Sequence, residues 1–222
     1  MEFIQWWSHQ SIDVVTGWNS RGFDIPYIVN RIKNIWKRGH TSLVNQLSPF
    51  KKVKYHEYNT RFGGKQIEYE ISGIQQLDYL ELFKKFGYGF YGTLESYSLN
   101  NVSHIVLGEK KLDYSEVGTL RDLYDADFQM FVDYNIKDVE LIERMEEKLG
   151  LITLVLTMAY LGGVNYQDTL GTTAIWDSII FRRLARSKIA ILPSTPKETE
   201  QFPGGYVKEP QVGMHDWVCS FD

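Results

Sequence analysis

The chain has 222 residues, 43% of them hydrophobic and 23% charged, with a net charge of −4 and a pI near 5.8. That length supplies a sizeable core. A basic balance would argue for a nucleic-acid coat; this acidic one is silent on that, and it does not exclude a nucleic-acid enzyme whose metal site is itself built from carboxylates. A single cysteine, Cys219, excludes a disulfide framework and is consistent with a reducing, cytoplasmic setting.

No apolar run approaches the roughly 20 residues that span a bilayer. "MEFIQWW" is too short, and flanked by an acid, to be a signal peptide; "FIQWW" reads as the end of an amphipathic helix. "IDVVTGWN" predicts a short buried strand, Ile12 to Thr16, that breaks at Gly17. Pro26 stands where first helical turns accept proline, and Ile28, Ile32, Ile35 and Trp36 then share one face. Two alternating runs, "KKVKYHEY" and "KQIEYEI", flank "NTRFGG" and predict a β-hairpin over about 53–71. "LDYLELFKKF" reads as a strand end entering a helix. Residues 87–120 are rich in Gly, Ser and Tyr and offer few long periodic runs.

"DFQMFVDYNIKDVELIERMEEKLG" is the clearest helix. Phe128, Phe131, Asn135, Val139, Ile142, Met145 and Leu149 recur at three- and four-residue steps, and Gly150 is its stop. A further helix is predicted from Leu151 to Leu161. "TTAIWDSIIFRRLARS" predicts another, with Trp176, Ile179, Ile180 and Leu184 as its buried stripe. From Ile191 the character changes. Four of the six prolines fall between Pro193 and Pro210, which reads as an extended linker. The alternation of strands and helices predicts an α/β domain with helices against a mixed sheet. The five histidines show no zinc spacing, and Cys219 reads as a core residue. Glu140, Glu143, Glu146 and Glu147 read as a solvated helix face.

Two acids stand out. Asp24 lies in a strand-to-helix loop, where open α/β sheets gather ligands. It reads either as the cap of the helix beginning near Pro26 or as a ligand-facing carboxylate. Tyr134 and Asp138 are four residues apart, so phenol and carboxylate stack one turn apart on one helix face. Val139 beside them implies that this face borders the core. The pair reads either as a water- and metal-holding site or as a satisfied surface pair.

"GWNSRGFDIPYIVNR", followed by "YNIKD", resembles the second and third exonuclease motifs of B-family DNA polymerases. "LDYLELFKKF", "YSLNNV", "IWDSIIF" and "FPGGYVKEP" resemble, in the same order, segments of the replicative polymerases of T-even-type phages. The resemblance covers nearly the whole chain. It implies a ribonuclease H-like (DnaQ-like) 3′–5′ exonuclease domain over 1–150, a helical extension over 151–190 and a linker toward the polymerase palm over 191–222.

By the resemblance Asp24 and Asp138 are metal ligands and Tyr134 orients the attacking water. The metal site holds two Mg²⁺ or Mn²⁺ ions about 4 Å apart. Asn19 and Phe23 touch the terminal nucleotide, and Gly204, Gly205, Tyr206 and Lys208 contact the strand. The hairpin helps separate primer from template, and Asp222 matches a metal-binding Asp of the synthesis site. The implied partners are DNA, the rest of the polymerase or a split-polymerase partner, and a sliding clamp through other parts.

The family's first motif, an Asp-x-Glu, has no counterpart ahead of Asp24, where the acids are Glu2 and Asp13. The expectation is therefore a fragment truncated at its N-terminal strands and at the polymerase motif, carrying two of four carboxylates. Three states follow: an inactive DNA-binding fragment, a subunit completed by a partner polypeptide, or a binding module that uses no metal.

Overall fold

A short pair of parallel strands divides the interior of the molecule in two. The computed structural model describes residues 2–36, 40–59, 65–113, 118–191, 205, 208–209 and 211–219. Helix α1 (Glu2–His9) leads to strand β1 (Val14–Gly17), and a loop then enters α2 (Asp24–Ile35). Helix α3 (His40–Asn45) precedes the hairpin of β2 (Val53–Asn59) and β3 (Lys65–Ile71), and β4 (Gln75–Asp78) follows. Helix α4 (Tyr79–Leu82) runs through a π turn (Phe83–Gly87) into α5 (Tyr88–Tyr91). The rest is helical: α6 (Leu99–Leu107), α7 (Leu120–Ala126), α8 (Phe128–Leu149), α9 (Leu151–Gly162), a 3₁₀ turn (Tyr166–Leu170) and α10 (Thr172–Arg186).

The fold is mixed α/β and mostly helical. Instead of the expected single mixed sheet, the described residues form two separate ladders. β1 pairs in parallel with β4, from Val14 opposite Gln75 to Gly17 opposite Asp78. β2 and β3 pair antiparallel, from Val53 opposite Ile71 to Asn59 opposite Lys65. Successive strand residues face opposite ways, and β1 uses this: Val14 packs against one core and Val15 against the other. The first core joins Leu77, Tyr79, Phe83, Val102, Leu141 and Met145. The second joins Trp7, Ile25, Val29, Ile32, Leu47 and Ile71.

The hairpin is anchored at its base, where Val53 packs on the second core and Ile71 is buried in it. Farther out it carries exposed ion pairs, Lys54–Glu70, His56–Glu70 and Lys65–Glu57, of the kind that adds little stability. Its expected tip, residues 60–64, lies outside the described residues. Helix α6, absent from the reading of 87–120, is short but well marked. Ser98 caps it by accepting from the Asn101 N–H, and Gly108 ends it in the left-handed region at φ 77°.

Two buried stripes differ from expectation. On α8 the buried residues are Tyr134, Leu141 and Met145, whereas Phe128 and Val139 are 58% and 66% exposed. The early aromatics serve a local contact instead: Tyr124 of α7 meets Phe128 and Phe131 edge to face. The inner face carries Tyr134 and Asp138 in the first half of the helix, whereas Ile142, Met145 and Leu149 lie in or against the first core as expected, so hydrophobicity alone misplaces only the N-terminal half of the stripe. On α10 no residue is buried, and Trp176, Ile179 and Ile180 are exposed. That helix meets α9 where Ser178 Oγ donates to Gly162 O and Arg182 donates to Leu161 O, with Ile175 Cγ2 lying 3.4 Å from where a Cβ at Gly162 would stand.

Glu146 is also more than a solvated acid. It reaches past Gly150 and accepts from the N–H groups of Ile152 and Thr153 at 3.0 and 3.1 Å, which caps α9. Leu151 and Val155 of α9 belong to the same core as Leu77 and Met145. Cys219 is exposed, not core. No described helix is long and apolar enough to cross a membrane.

Candidate nucleotide-end site

The loop from Trp18 to Phe23 leaves the carboxyl end of β1 and turns back into α2. Its anchor is Asp78, the last residue of β4, which is 2% exposed. Asp78 accepts three backbone N–H bonds at 3.0 Å each, from Asn19, Arg21 and Leu80. The Leu80 bond caps α4, and the other two hold the loop. Arg21 adds ion pairs to Glu68 at 2.7 Å and Glu81 at 2.9 Å. Burial opposes the Arg21 charge, and the two carboxylates outweigh it, so the guanidinium stays charged. Trp18 is pinned by its Nε1–H bond to Tyr97 O at 3.2 Å.

Asn19 makes the turn. Its φ is 63°, in the left-handed region that Asn tolerates better than most residues, and its carbonyl accepts from the N–H groups of Gly22 and Phe23. Its side chain lies over Gly22: a Cβ there would stand 2.6 Å from Asn19 Oδ1. Any larger residue at position 22 displaces the Asn19 amide.

Asp24 is not the cap of α2. It is the first residue of the helix, with Phe23 at the cap position and no side-chain capping bond there. Its carboxylate lies over the end of β1, where a Cβ at Gly17 would be 3.8 Å from Asp24 Oδ2 and 3.0 Å from Ser20 Cβ. Burial by the surrounding chain, and after it the charge of Asp78, hold the Asp24 carboxyl above the usual aspartate range. Ser20 is 3% exposed and its Oγ has no hydrogen-bond partner. Phe23 is 64% exposed.

Tyr134 and Asp138 do share a face of α8, and a third residue joins them. Lys111 Nζ donates to Asp138 Oδ2 at 2.6 Å and to Tyr134 Oη at 3.2 Å, and it lies 5.2 Å from the Tyr134 ring centroid. Burial lowers the Lys111 pKa, but the bonds to Asp138 and Tyr134 raise it more, so the ammonium is retained. Glu109 fastens the Lys111 segment to α8 through Lys137 and Arg144. Asp138 Oδ1 is buried without a partner.

The sequence reading missed Asp78 and Lys111. An Asp between an apolar strand and "YLEL" carries the signal of a helix cap, and that signal leads to Asp78. Lys111 lies in "EKKLD", where nothing local distinguishes it from Lys110; only the fold brings it to α8. Of the residues expected on the strand-contacting linker, Gly205 and Lys208 are exposed. Gly204, Tyr206 and Asp222 lie outside the described residues.

The orphaned Asp138 Oδ1 and the raised carboxyl of Asp24 suit a hard divalent cation such as Mg²⁺ or Mn²⁺. The donor set stops short of one. Among the described residues no three His, Cys, Asp or Glu side chains gather to hold a metal, and the cation already at Asp138 is the Lys111 ammonium. The described residues do not by themselves make a metal centre.

A strand-end loop held by the buried Asp78 thus sets an exposed ring, Phe23, next to an acid, Asp24, at the start of α2. The comparisons with known proteins show what the chain is similar to. The profile of the DNA polymerase family B exonuclease domain matches residues 1–102. The chain is 35% identical over 223 residues to a DNA-directed DNA polymerase of Enterobacteria phage T4, and 34% over 222 residues to that of Escherichia phage RB69. Both matches span all of this chain and 24% of the relative. The DNA polymerase delta catalytic subunit of Bos taurus is 28% identical over 211 residues, 92% of this chain and 18% of the relative. Over its whole length the chain is similar to B-family DNA polymerases, and residues 1–102 match the profile of their exonuclease domain. It spans about a quarter, 24%, of the phage relatives it matches.

Proposed function

We propose that this chain is the 3′-end-binding part of the proofreading 3′–5′ exonuclease of a replicative DNA-directed DNA polymerase. The observation that carries this reading is the Asp78-held loop, which sets Phe23 and Asp24 side by side over the carboxyl end of the β1–β4 pair. Phe23 stacks on the terminal base, because an unpaired base offers its face to an aromatic ring, and Asn19 hydrogen-bonds the same nucleotide. Tyr134 orients the attacking water. Lys111 acts through Tyr134 and Asp138 by fixing both.

Asp24 and Asp138 are the carboxylates this chain offers to Mg²⁺ or Mn²⁺. The remaining ligands come from outside these 222 residues, within the same polymerase or from a partner polypeptide. Residues 1–150 form the exonuclease unit with its strand-separating hairpin. Residues 151–190 are a helical extension, and 191–222 lead toward the palm, with Gly204, Gly205, Tyr206 and Lys208 on the DNA and Asp222 at the synthesis site.

The test is release of the 3′ nucleotide from a labelled single-stranded oligonucleotide with Mg²⁺ or Mn²⁺. The chain alone releases none. Release follows when a polypeptide carrying an Asp-x-Glu strand is added, and Asp24→Ala abolishes it. Release by the chain alone, sensitive to Asp24→Ala, overturns the need for outside ligands. Failure both to cleave and to bind single strands overturns the exonuclease reading. One observation favours a second reading, a DNA-end-binding module without metal chemistry: Asp138 is already neutralised by Lys111. That reading requires oligonucleotide binding unchanged by metal and no release under either condition.

A further inference from the structure

We infer that helix α2 carries the single strand away from the Asp24 loop on a stripe of Phe23, Tyr27 and Arg31. This rests on the reading of that loop as a 3′-end site and extends it by two residues that the reading does not use. The three positions are four residues apart, so they lie in a slowly drifting line on one side of the helix. The buried residues Ile25, Val29 and Ile32 occupy the other side.

The Phe23 and Tyr27 rings are nearly parallel, 15° between planes, with centroids 6.3 Å apart. They are 64% and 58% exposed. The two rings form a stacked pair, and with more than half of each side chain exposed the pair keeps ring surface open to a ligand. Near-parallel planes let successive bases stack in one orientation. Tyr27 and Arg31 then line an apolar groove of about 290 Å³, shared with Phe3 and Ile35. Arg31 is exposed and forms no ion pair among the described residues.

An unpaired guanidinium beyond two open rings matches the chemistry of a single strand: bases for the rings, a phosphate for the cation. From Phe23 to Arg31 the helix rises about 12 Å, room for about three stacked bases. The polarity follows from the site. The terminal nucleotide lies at Phe23 and Asp24, and the strand runs back along α2 toward its 5′ side.

The experiment is metal-free binding of fluorescein-labelled hexathymidylate by fluorescence anisotropy over a salt series, using the whole chain. Tyr27→Leu keeps bulk and removes the ring, and it weakens binding about tenfold. Tyr27→Trp binds at least as tightly as the parent. Arg31→Gln lowers the slope of log affinity against log salt by about 0.7, the value for one phosphate contact on a single strand. If Tyr27→Leu and Arg31→Gln bind like the parent while Phe23→Leu weakens binding, the loop reading stands and the track on α2 is wrong. If Phe23→Leu is also without effect, the loop reading falls and takes the track with it. A dimer in sedimentation that Tyr27→Leu dissolves, with oligonucleotide binding unchanged, assigns the stripe to a second copy of the chain and overturns the inference.

Discussion

Replacing Asp78 by alanine tests the claim that one buried carboxylate builds the site. Three backbone N–H groups, those of Asn19, Arg21 and Leu80, lose their acceptor in a single change. A hydrogen bond to a charged partner is worth about 1.5–3 kcal/mol, so three summed independently would give about 4.5–9. They are not independent, since they share one carboxylate. The Asn19 and Arg21 donors are only part-buried, so water recovers some of the loss. The helix cap alone accounts for about 1 kcal/mol. The expected cost is about 3–4 kcal/mol, a large share of the ~5–15 kcal/mol that holds a domain. Asp78→Asn keeps one acceptor oxygen and turns an NH₂ toward the other donors, so it costs about half as much or more. The assay is urea unfolding followed by far-UV circular dichroism, with linear extrapolation to water. A loss below about 1 kcal/mol for Asp78→Ala refutes the reasoning, because the loop would then be held by something else.

Three further outcomes are expected. Asp24 has a raised folded-state pKa, so its favourable contribution to stability is present below the unfolded value near 3.8 and is lost as pH rises through the folded value. Asp24→Asn therefore melts higher than the parent near neutral pH, and the difference closes in thermal melts near pH 3; an equal difference at both ends contradicts the assignment. Lys111→Met leaves a mostly buried Asp138 unpaired and costs about 1–2 kcal/mol, and adding Asp138→Asn restores part of that in a double-mutant cycle of urea midpoints. Glu146→Ala removes the cap of α9 and costs about 1–2 kcal/mol, whereas Glu140→Ala, Glu143→Ala and Glu147→Ala each stay within about 0.5 kcal/mol in the same denaturation assay.

Local pattern was enough for several elements. Period-two alternation around Gly63-Gly64 marks the hairpin strands, and the left-handed stop at Gly150 ends a helix from Phe128 to Leu149. The loop after β1 was visible as a run of Gly, Asn, Ser and Arg before an apolar helix. Boundaries shifted by one or two residues, as at β1 and α2, because hydrogen bonding rather than hydropathy ends an element. Which face is inside was less legible. Val139 is as apolar as Leu141, yet one is exposed and the other buried, because the choice depends on where α6 and β4 lie.

By itself the sequence determined the order of most elements, the resemblance to the exonuclease motifs, and the candidate acids Asp24 and Asp138. These rest on short-range spacing, which a linear chain displays directly. Only the tertiary structure decided what surrounds those acids. Asp78 reaches back 57 to 59 residues to hold the loop beside Asp24, and Lys111 crosses 23 to 27 residues to meet Tyr134 and Asp138. Those partners follow from the pairing of β1 with β4 and the packing of α6 on α8. No local periodicity encodes them, because each contact is made between segments whose own patterns are satisfied without it.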